Sequence, residues 1–373
     1  MVLVLGQRSG IAKSLEKMNI SYVVWTNKQI KNPRNAKLVI EAEFPCVMED
    51  LNQHIPKEYK ITHVIAGVED AVIPASKIRM WLELKRNPHS LILKCTDKLK
   101  MKKFLSSNDI AMSDFSSGKD LTAKQIAERF GFPVVCKLRL SSGGRGVEFV
   151  NSVAEIKQFM NSKYYFEKMI KGKEGSIESL IINNKVIFSN ITEYYINGCC
   201  NKIPATYNDE IKDGINRLNE SVISNLKIKW GITHLEYYLT DKGILFGEVA
   251  LRPPGGYLMD IMGIAYGEDI WEKFVSIELG FDDIHIGPLQ KYTSAIVIHP
   301  GEGKIKSIQG LDNIQSLASI EKLKINLKEG QIIPKREGVG QEYGHVILAS
   351  DNSDQLNEDV DKFFQYFEVG KAT

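Results

Sequence analysis

The chain lacks a dominant charge: 48 basic against 46 acidic residues leave a formal net charge of +2 over 373 residues. Without a strong field of one sign, neither nucleic acid nor an anionic membrane is indicated as a bulk partner. No apolar run approaches the roughly 18 residues that a bilayer-spanning helix needs. The opening MVLVLGQRSG is short for a secretory leader and has no basic region before its apolar part, so it reads as a buried first strand. Cysteine is scarce. Five cysteines, an odd count without metal-like spacing, fit a reducing cytosol, and the expected localisation is cytoplasmic. The adjacent Cys199 and Cys200 read as small hydrophobes, not as a redox centre. Internal repeats, low-complexity tracts and long linkers are absent too. What remains, 43% hydrophobic and 25% charged, is an ordinary globular composition, long enough for two or three domains.

The stretch GITHLEYYLTDKGILFGEVALRPPGG, from Gly231 to Gly256, carries the densest chemistry. Hydrophobic runs at 233–239 and 244–251 flank Thr240-Asp241-Lys242-Gly243, a hairpin signal. Each arm holds one carboxylate in apolar company, Glu236 and Glu248. A turn centred near Asp241 and Lys242 sets these nearly opposite each other, where like charges repel. A hard divalent cation bound by oxygen ligands is an economical way to hold them together. Arg252 follows as a fixed cation suited to phosphate or carboxylate oxygens. Pro253-Pro254-Gly255-Gly256 then ends the strand and frees backbone N–H groups. A half-exposed hairpin with solvated carboxylates is the alternative.

Taken in order, the chain opens with strands at 2–5, 21–25 and 61–66 and a helix at 11–18, a βαβ rhythm that implies a parallel sheet. GQRSG lacks the full dinucleotide fingerprint, so this part reads as a Rossmann-like platform. Glu69 lies just past a strand end, where α/β folds bind ligands; it is a substrate-site candidate, with helix capping as the alternative. Asp97 caps a helix reading KLKMKKFLSSN. Lys98 stands at its N-terminal end, where a cation is misplaced unless an anion sits there. On pattern alone, the more ordinary reading is a solvated lysine among Lys98, Lys100, Lys102 and Lys103. Lys137 interrupts the apolar strand FPVVCKL at 132–138 and needs a partner if buried. The Ser141-Ser142-Gly143-Gly144-Arg145-Gly146 loop after it can lay N–H groups on phosphate oxygens, or can be a flexible hairpin tip. A strand at 164–170, a turn at 171–174 and strands at 176–182 and 185–195 follow. An extended edge there suits an adenine, with Glu174 placed for ribose hydroxyls. Helices are expected at 209–226 and 257–279, the latter despite Gly263 and Gly267. The C-terminal part is strand-rich at 293–299, 305–308, 323–327 and 344–349, and ends in a helix at 353–367.

In this order, the pieces resemble the ATP-grasp superfamily over nearly the whole chain. TDKLKMKKFL is similar to the family's early helix with a phosphate-binding lysine, which nominates Lys98. FPVVCKLRLSSGGRGV resembles its central strand, lysine and glycine loop, nominating Lys137, Ser142, Gly143, Gly144 and Gly146. FEKMIKGKEGSIE resembles the interlobe adenine hinge, with Glu167, Lys168, Met169 and Ile170 around the base and Glu174 on the ribose. The metal hairpin, commonly Glu followed by Glu-x-Asn-x-Arg, is matched by Glu236 and then Glu248-Val-Ala250-Leu-Arg252, with Ala250 in place of the asparagine ligand. The purine-biosynthetic carboxyaminoimidazole ribonucleotide synthetases share Glu-x-Ala-x-Arg-Pro, but continue with a His-Asn segment. Arg252-Pro-Pro-Gly-Gly is more like the carboxylate–amine ligases, including the L-amino-acid ligases.

The resemblance implies an α/β (α+β) fold. Its parts are an N-terminal Rossmann-like domain over 1–95, an ATP-grasp domain over 96–285 and a strand-rich C-terminal domain over 286–373. The small lobe of the ATP-grasp domain is expected near 115–170, with a lid at 141–146, and the C-terminal domain completes the large lobe. It implies ATP and magnesium (or manganese) as cofactors. Small-molecule carboxylate and amine are the implied substrates, and a homodimer is the expected assembly. A carboxylate would be activated as an acyl phosphate and joined to an amine, releasing ADP and phosphate. Lys98 and Lys137 would hold phosphates, and Arg252 and Lys137 would serve catalysis. Glu69, Arg252, Gly255 and Gly256 would meet substrate. The alternatives are a bicarbonate-using carboxylase and a non-catalytic ATP-binding protein.

Overall fold

A computed structural model describes residues 1–30 and 32–372. Val2–Leu5, Tyr22–Thr26, Leu38–Glu41 and His63–Ala66 form a parallel sheet with Val2–Leu5 between Tyr22–Thr26 and His63–Ala66. The strand Leu38–Glu41, half-exposed at its start, was not expected from the sequence. Parallel strands buried on both faces read as continuous apolar runs, and VLVL and YVVWT are buried at every position.

Phe115–Ser117, Tyr164–Lys168, Val134–Leu138 and Val147–Val150 make a small antiparallel sheet, with Tyr164–Lys168 and Val134–Leu138 at its centre. An eight-stranded antiparallel sheet starts at the edge strand Gly243–Ala250. It continues through Gly231–Thr240, Lys173–Ile182, Lys185–Ile196 and Cys200–Ile203. Tyr292–Val297, Gly344–Ser350 and Ile320–Ile325 complete it. Strands from distant parts of the sequence thus share one ladder with the carboxylate hairpin.

Alternation decides the two faces of this sheet. Ile177, Ile181, Leu235, Tyr237, Phe246 and Val249 pack against Ile215, Val222 and Ile223 of the helix Asp209–Leu226. That helix starts at Asn208, whose side chain accepts the N–H of Ile211, a cap that satisfies one otherwise unpaired donor. The other face meets Leu258, Ile261 and Met262 through Ala295 and Ile347, and between them it exposes the polar strip described below. The helix expected over 257–279 is two helices, Leu258–Tyr266 and Ile270–Leu279. Gly267 is left-handed at φ +65°, and Asp269 caps the second helix by accepting the N–H of Glu272. The turn expected at 171–174 is shorter: the strand begins at Lys173, so Glu174 belongs to the sheet.

Candidate active site

The hairpin brings its carboxylates into direct register. Thr240 pairs with Gly243 and Tyr237 with Phe246, and then Glu236 pairs with Glu248, leaving Gly247 as an extra residue. This bulge re-aims the side chains beyond it. A Cβ on Gly247 would lie 2.9 Å from the carbonyl oxygen of Glu236 and 3.1 Å from the Tyr238 ring, so the bulge closes tightly only on glycine. Two basic groups approach the pair. Lys98 Nζ is 2.6 Å from Glu248 Oε2, and His234 Nε2 is 3.6 Å from Glu236 Oε1.

His234 lies across the ladder from Ala250. Its Nδ1 is 2.7 Å from an oxygen of Glu178, which is 1% exposed. Glu178 also accepts from Ser176 at 2.7 Å and from Thr192 at 2.5 Å. Burial alone would push the His234 pKa down, but Glu178 and Glu236 outweigh it and raise it to about 9. Sequence reasoning missed Glu178 and His234. The available signal was the polar alternation Ser176–Glu178 beside His234–Glu236 on neighbouring strands.

Lys98 is 7% exposed, not solvated, and its ammonium also donates to the carbonyl oxygen of Ser141 at 2.9 Å. The helix Lys98–Ser106 is fixed to the foot of the glycine loop, because Arg139 spans both oxygens of Asp97 at 3.1 and 2.5 Å. In the loop itself Gly143, Gly144 and Gly146 have φ of +63°, +75° and +67°, left-handed values natural to glycine. Arg145 donates to Ser142 Oγ at 3.1 Å, and the N–H of Val339 donates to the carbonyl of Gly143 at 3.0 Å.

Lys137 finds its partner in Glu167 at 2.8 Å. The other oxygen of Glu167 meets Lys102 at 2.7 Å. Burial pushes the Glu167 pKa up, yet the two lysines hold it at about 2. The side chain expected near the base is therefore committed to lysines. Its strand ends at Lys168, and Met169 and Ile170 begin the link to Lys173–Ile182 in the large sheet. Glu174 accepts from Asn197. Burial and the neighbouring charge of Glu236 push its pKa up to about 7.

Arg252 meets Glu69 at 2.5 Å and donates to the carbonyl of Pro253 at 2.8 Å. Glu69 is the first residue of the helix Glu69–Trp81, and its side chain serves Arg252, with Val68 in the cap position. Arg8, from the GQRSG turn, donates to the carbonyl of Pro254 at 2.9 Å. Gly255 is exposed, with open space where a Cβ would stand, and Gly256 is held beside Asn201.

Among the described residues, no three His, Cys, Asp or Glu side chains form a ready metal cage. The facing Glu236 and Glu248 nevertheless offer hard oxygen donors of the kind magnesium takes, when its remaining positions are filled by water and phosphate oxygens.

An early lysine on a helix, a second lysine before a glycine loop, and facing carboxylates on an antiparallel hairpin define the site. The chain matches the ATP-grasp domain family over residues 103–260. Residues 103–260 thus carry an ATP-grasp domain. Residues 295–369 match the family described as L-amino acid ligase C-terminal domain 2, so the chain joins an ATP-grasp domain to that second domain. It is 23% identical over 335 residues to an L-arginine-specific L-amino acid ligase of Bacillus subtilis, covering 83% of this chain and 80% of the relative. Among solved structures it resembles an L-amino acid ligase from Bacillus licheniformis, with a TM-score of 0.82, 17% identity, and 100% and 98% of the two chains covered. It also resembles the N5-carboxyaminoimidazole ribonucleotide synthetase of Thermotoga maritima, with a TM-score of 0.77, 20% identity, and 100% and 99% covered.

Proposed function

We propose that this chain is an ATP-dependent carboxylate–amine ligase that forms ADP and acts on amino-acid or peptide-type substrates. The observation that carries the reading is the in-register pair Glu236 and Glu248, with Lys98 on one side and the Arg252-Pro-Pro-Gly-Gly loop following the same strand. The match to the L-amino acid ligase C-terminal domain supports amino-acid substrates.

A carboxylate oxygen of the first substrate attacks the γ-phosphorus, giving an acyl phosphate and ADP. The amine then adds to the acyl carbon, and phosphate leaves with the C–O bond pair. The protein's work is positioning and charge neutralisation. Lys98 and Lys137 hold the phosphates, and the N–H groups of Ser142, Gly143, Gly144 and Gly146 cover them. Met169 and Ile170 meet the base beyond the end of the strand at Lys168, and Glu174 faces the ribose. Glu236 and Glu248 would hold magnesium, which would supply neutralising charge to the polyphosphate. Arg252 turns from Glu69 to the transferring phosphoryl and the oxyanion. The N–H groups of Gly255 and Gly256 orient the substrate carboxylate, and the closed glycine loop keeps water from the acyl phosphate. All five cysteines are unpaired, which supports a reducing, cytoplasmic setting. Among the described residues, no helix is long and apolar enough to cross a membrane.

The test is a screen of paired acids and amines for ADP release, repeated with oxygen-18 in the acid. One labelled oxygen must reach the released phosphate. ADP release on bicarbonate alone would replace the ligase reading with a carboxylase. Product without label in phosphate would exclude the acyl phosphate.

A further inference from the structure

Lys102 takes no part in the mechanism above, yet it is 1% exposed, and burial pushes its pKa down from the ordinary lysine value while the Glu167 carboxylate works to keep the ammonium. It stands one turn after Lys98, so both project from one face of the helix Lys98–Ser106, while Lys100 and Lys103 are exposed. Its only ion-pair partner among the described residues is Glu167. The Phe246 ring, with its centroid 5.8 Å from Nζ, closes another side with apolar surface. Glu167 also anchors Lys137 through its second oxygen and accepts from the Tyr165 hydroxyl at 3.2 Å.

The charges in this cluster do not cancel. A buried carboxylate facing Lys137 alone would fix the ammonium in place and quench it. Two lysines on one carboxylate leave a surplus of one positive charge. Lys102 is sealed, whereas the Lys137 side chain stays 18% exposed, so the surplus is presented at Lys137. We propose that Lys102 is a positioning residue for nucleotide: it neutralises Glu167, so that Glu167 can hold Lys137 in place without consuming the charge meant for the phosphates. This rests on the assignment of Lys137 to the polyphosphate and extends it to a residue that does not touch the ligand.

Titration calorimetry with magnesium-ADP and with adenosine tests it, on wild type, K102M, E167Q and the double variant K102M/E167Q. The wild type binds ADP. K102M should bind ADP at least about tenfold more weakly, as expected when a nearby unit charge is offset, with adenosine affinity unchanged. The double variant should recover to within about threefold of wild type, because a neutral amide can still hold Lys137. A packing role alone would weaken adenosine and ADP together and would not be rescued by E167Q. Unchanged ADP affinity in K102M, equal losses for both ligands, or no rescue would each overturn the proposal. If K102M does not fold, the double variant decides, since it leaves no sealed charge unpaired and keeps the net charge of the cluster: affinity within threefold supports the proposal, and a tenfold loss overturns it. A wild type that binds no nucleotide would instead refute the ligase reading itself.

Discussion

Glu167 is 3% exposed and divides its two oxygens between two lysines, whereas the side chains of Glu236 and Glu248 remain about a quarter exposed and share one lysine and the far edge of one imidazole. A carboxylate sealed from water must be paired within the fold, because an uncompensated buried charge costs several kcal/mol. One that still reaches solvent can be left short of positive charge. The shortfall is visible in Glu174, whose pKa rises to about 7 through burial and the charge of Glu236. Positive charge is therefore in surplus around Glu167, and negative charge around Glu236 and Glu248. The proposed polyphosphate with magnesium would answer both.

The sharpest way to break this contrast is to remove one open carboxylate. E248Q keeps the shape and should lower ADP release at least about 10³-fold, beyond the ~10²–10³ typical of one lost hydrogen-bond donor, with an unchanged thermal midpoint. Normal turnover at saturating magnesium would end the metal-site assignment. R252K preserves charge but loses the planar fork. It should cut kcat about 10²-fold while ATP affinity stays within a few-fold, which parallel kinetic and binding titrations would separate.

His345 sharpens the same rule from the side of a base. It is 3% exposed, and among the described residues neither ring nitrogen has a hydrogen-bond partner. It stacks on Tyr257 with ring centroids 4.1 Å apart. Burial, with Lys322 and Lys324 nearby, pushes its pKa down to about 4. A depressed histidine pKa means that the unfolded chain binds the proton more readily. Its contribution is thus full above about pH 6.5 and is lost as pH falls towards 4, by at most about 3 kcal/mol. Thermal melts of H345F should show a shallower acid limb than wild type; identical limbs would exclude the assignment. The smallest effect concerns the glycine loop, where Arg145 is exposed. ATP with magnesium should slow trypsin cleavage there several-fold by closing the loop, and equal rates would argue against a lid.

Much of this was legible because the signals were local. The helix expected at 209–226 is found with those bounds, between the Asn208 cap and Leu226. The facing of Glu236 and Glu248 followed from a turn centred on Asp241 and Lys242, although strict alternation from that turn would have set Glu236 against Gly247. Lys102 was hidden because sequence sees four nearby lysines as one solvated face. Only partners far along the chain, Glu248 for Lys98 and Glu167 for Lys102, separate the two buried from the two exposed. Glu178 and His234 were hidden for a similar reason, since their pairing depends on which strands become neighbours. Arg252 was nominated for substrate, but its resting partner, Glu69, comes from the other end of the chain.

The extra residue at Gly247 also fixes what protein engineering can do to this hairpin. From the Tyr237–Phe246 pair to the Thr240–Gly243 pair that closes the tip the ladder is regular, so the irregular step lies next to the carboxylates and not at the turn. Asp241 and Lys242 are exposed at that tip. Residues added there in even numbers, equally on both arms, would extend the ladder outward and keep Glu236 facing Glu248. A single residue added to one arm alone would shift the register by one and turn Glu248 to the opposite side of the sheet, into the space held by Val249 against the long helix. The tip is accordingly a natural place for a reporter or a cross-link, and its length is constrained by odd and even rather than by size.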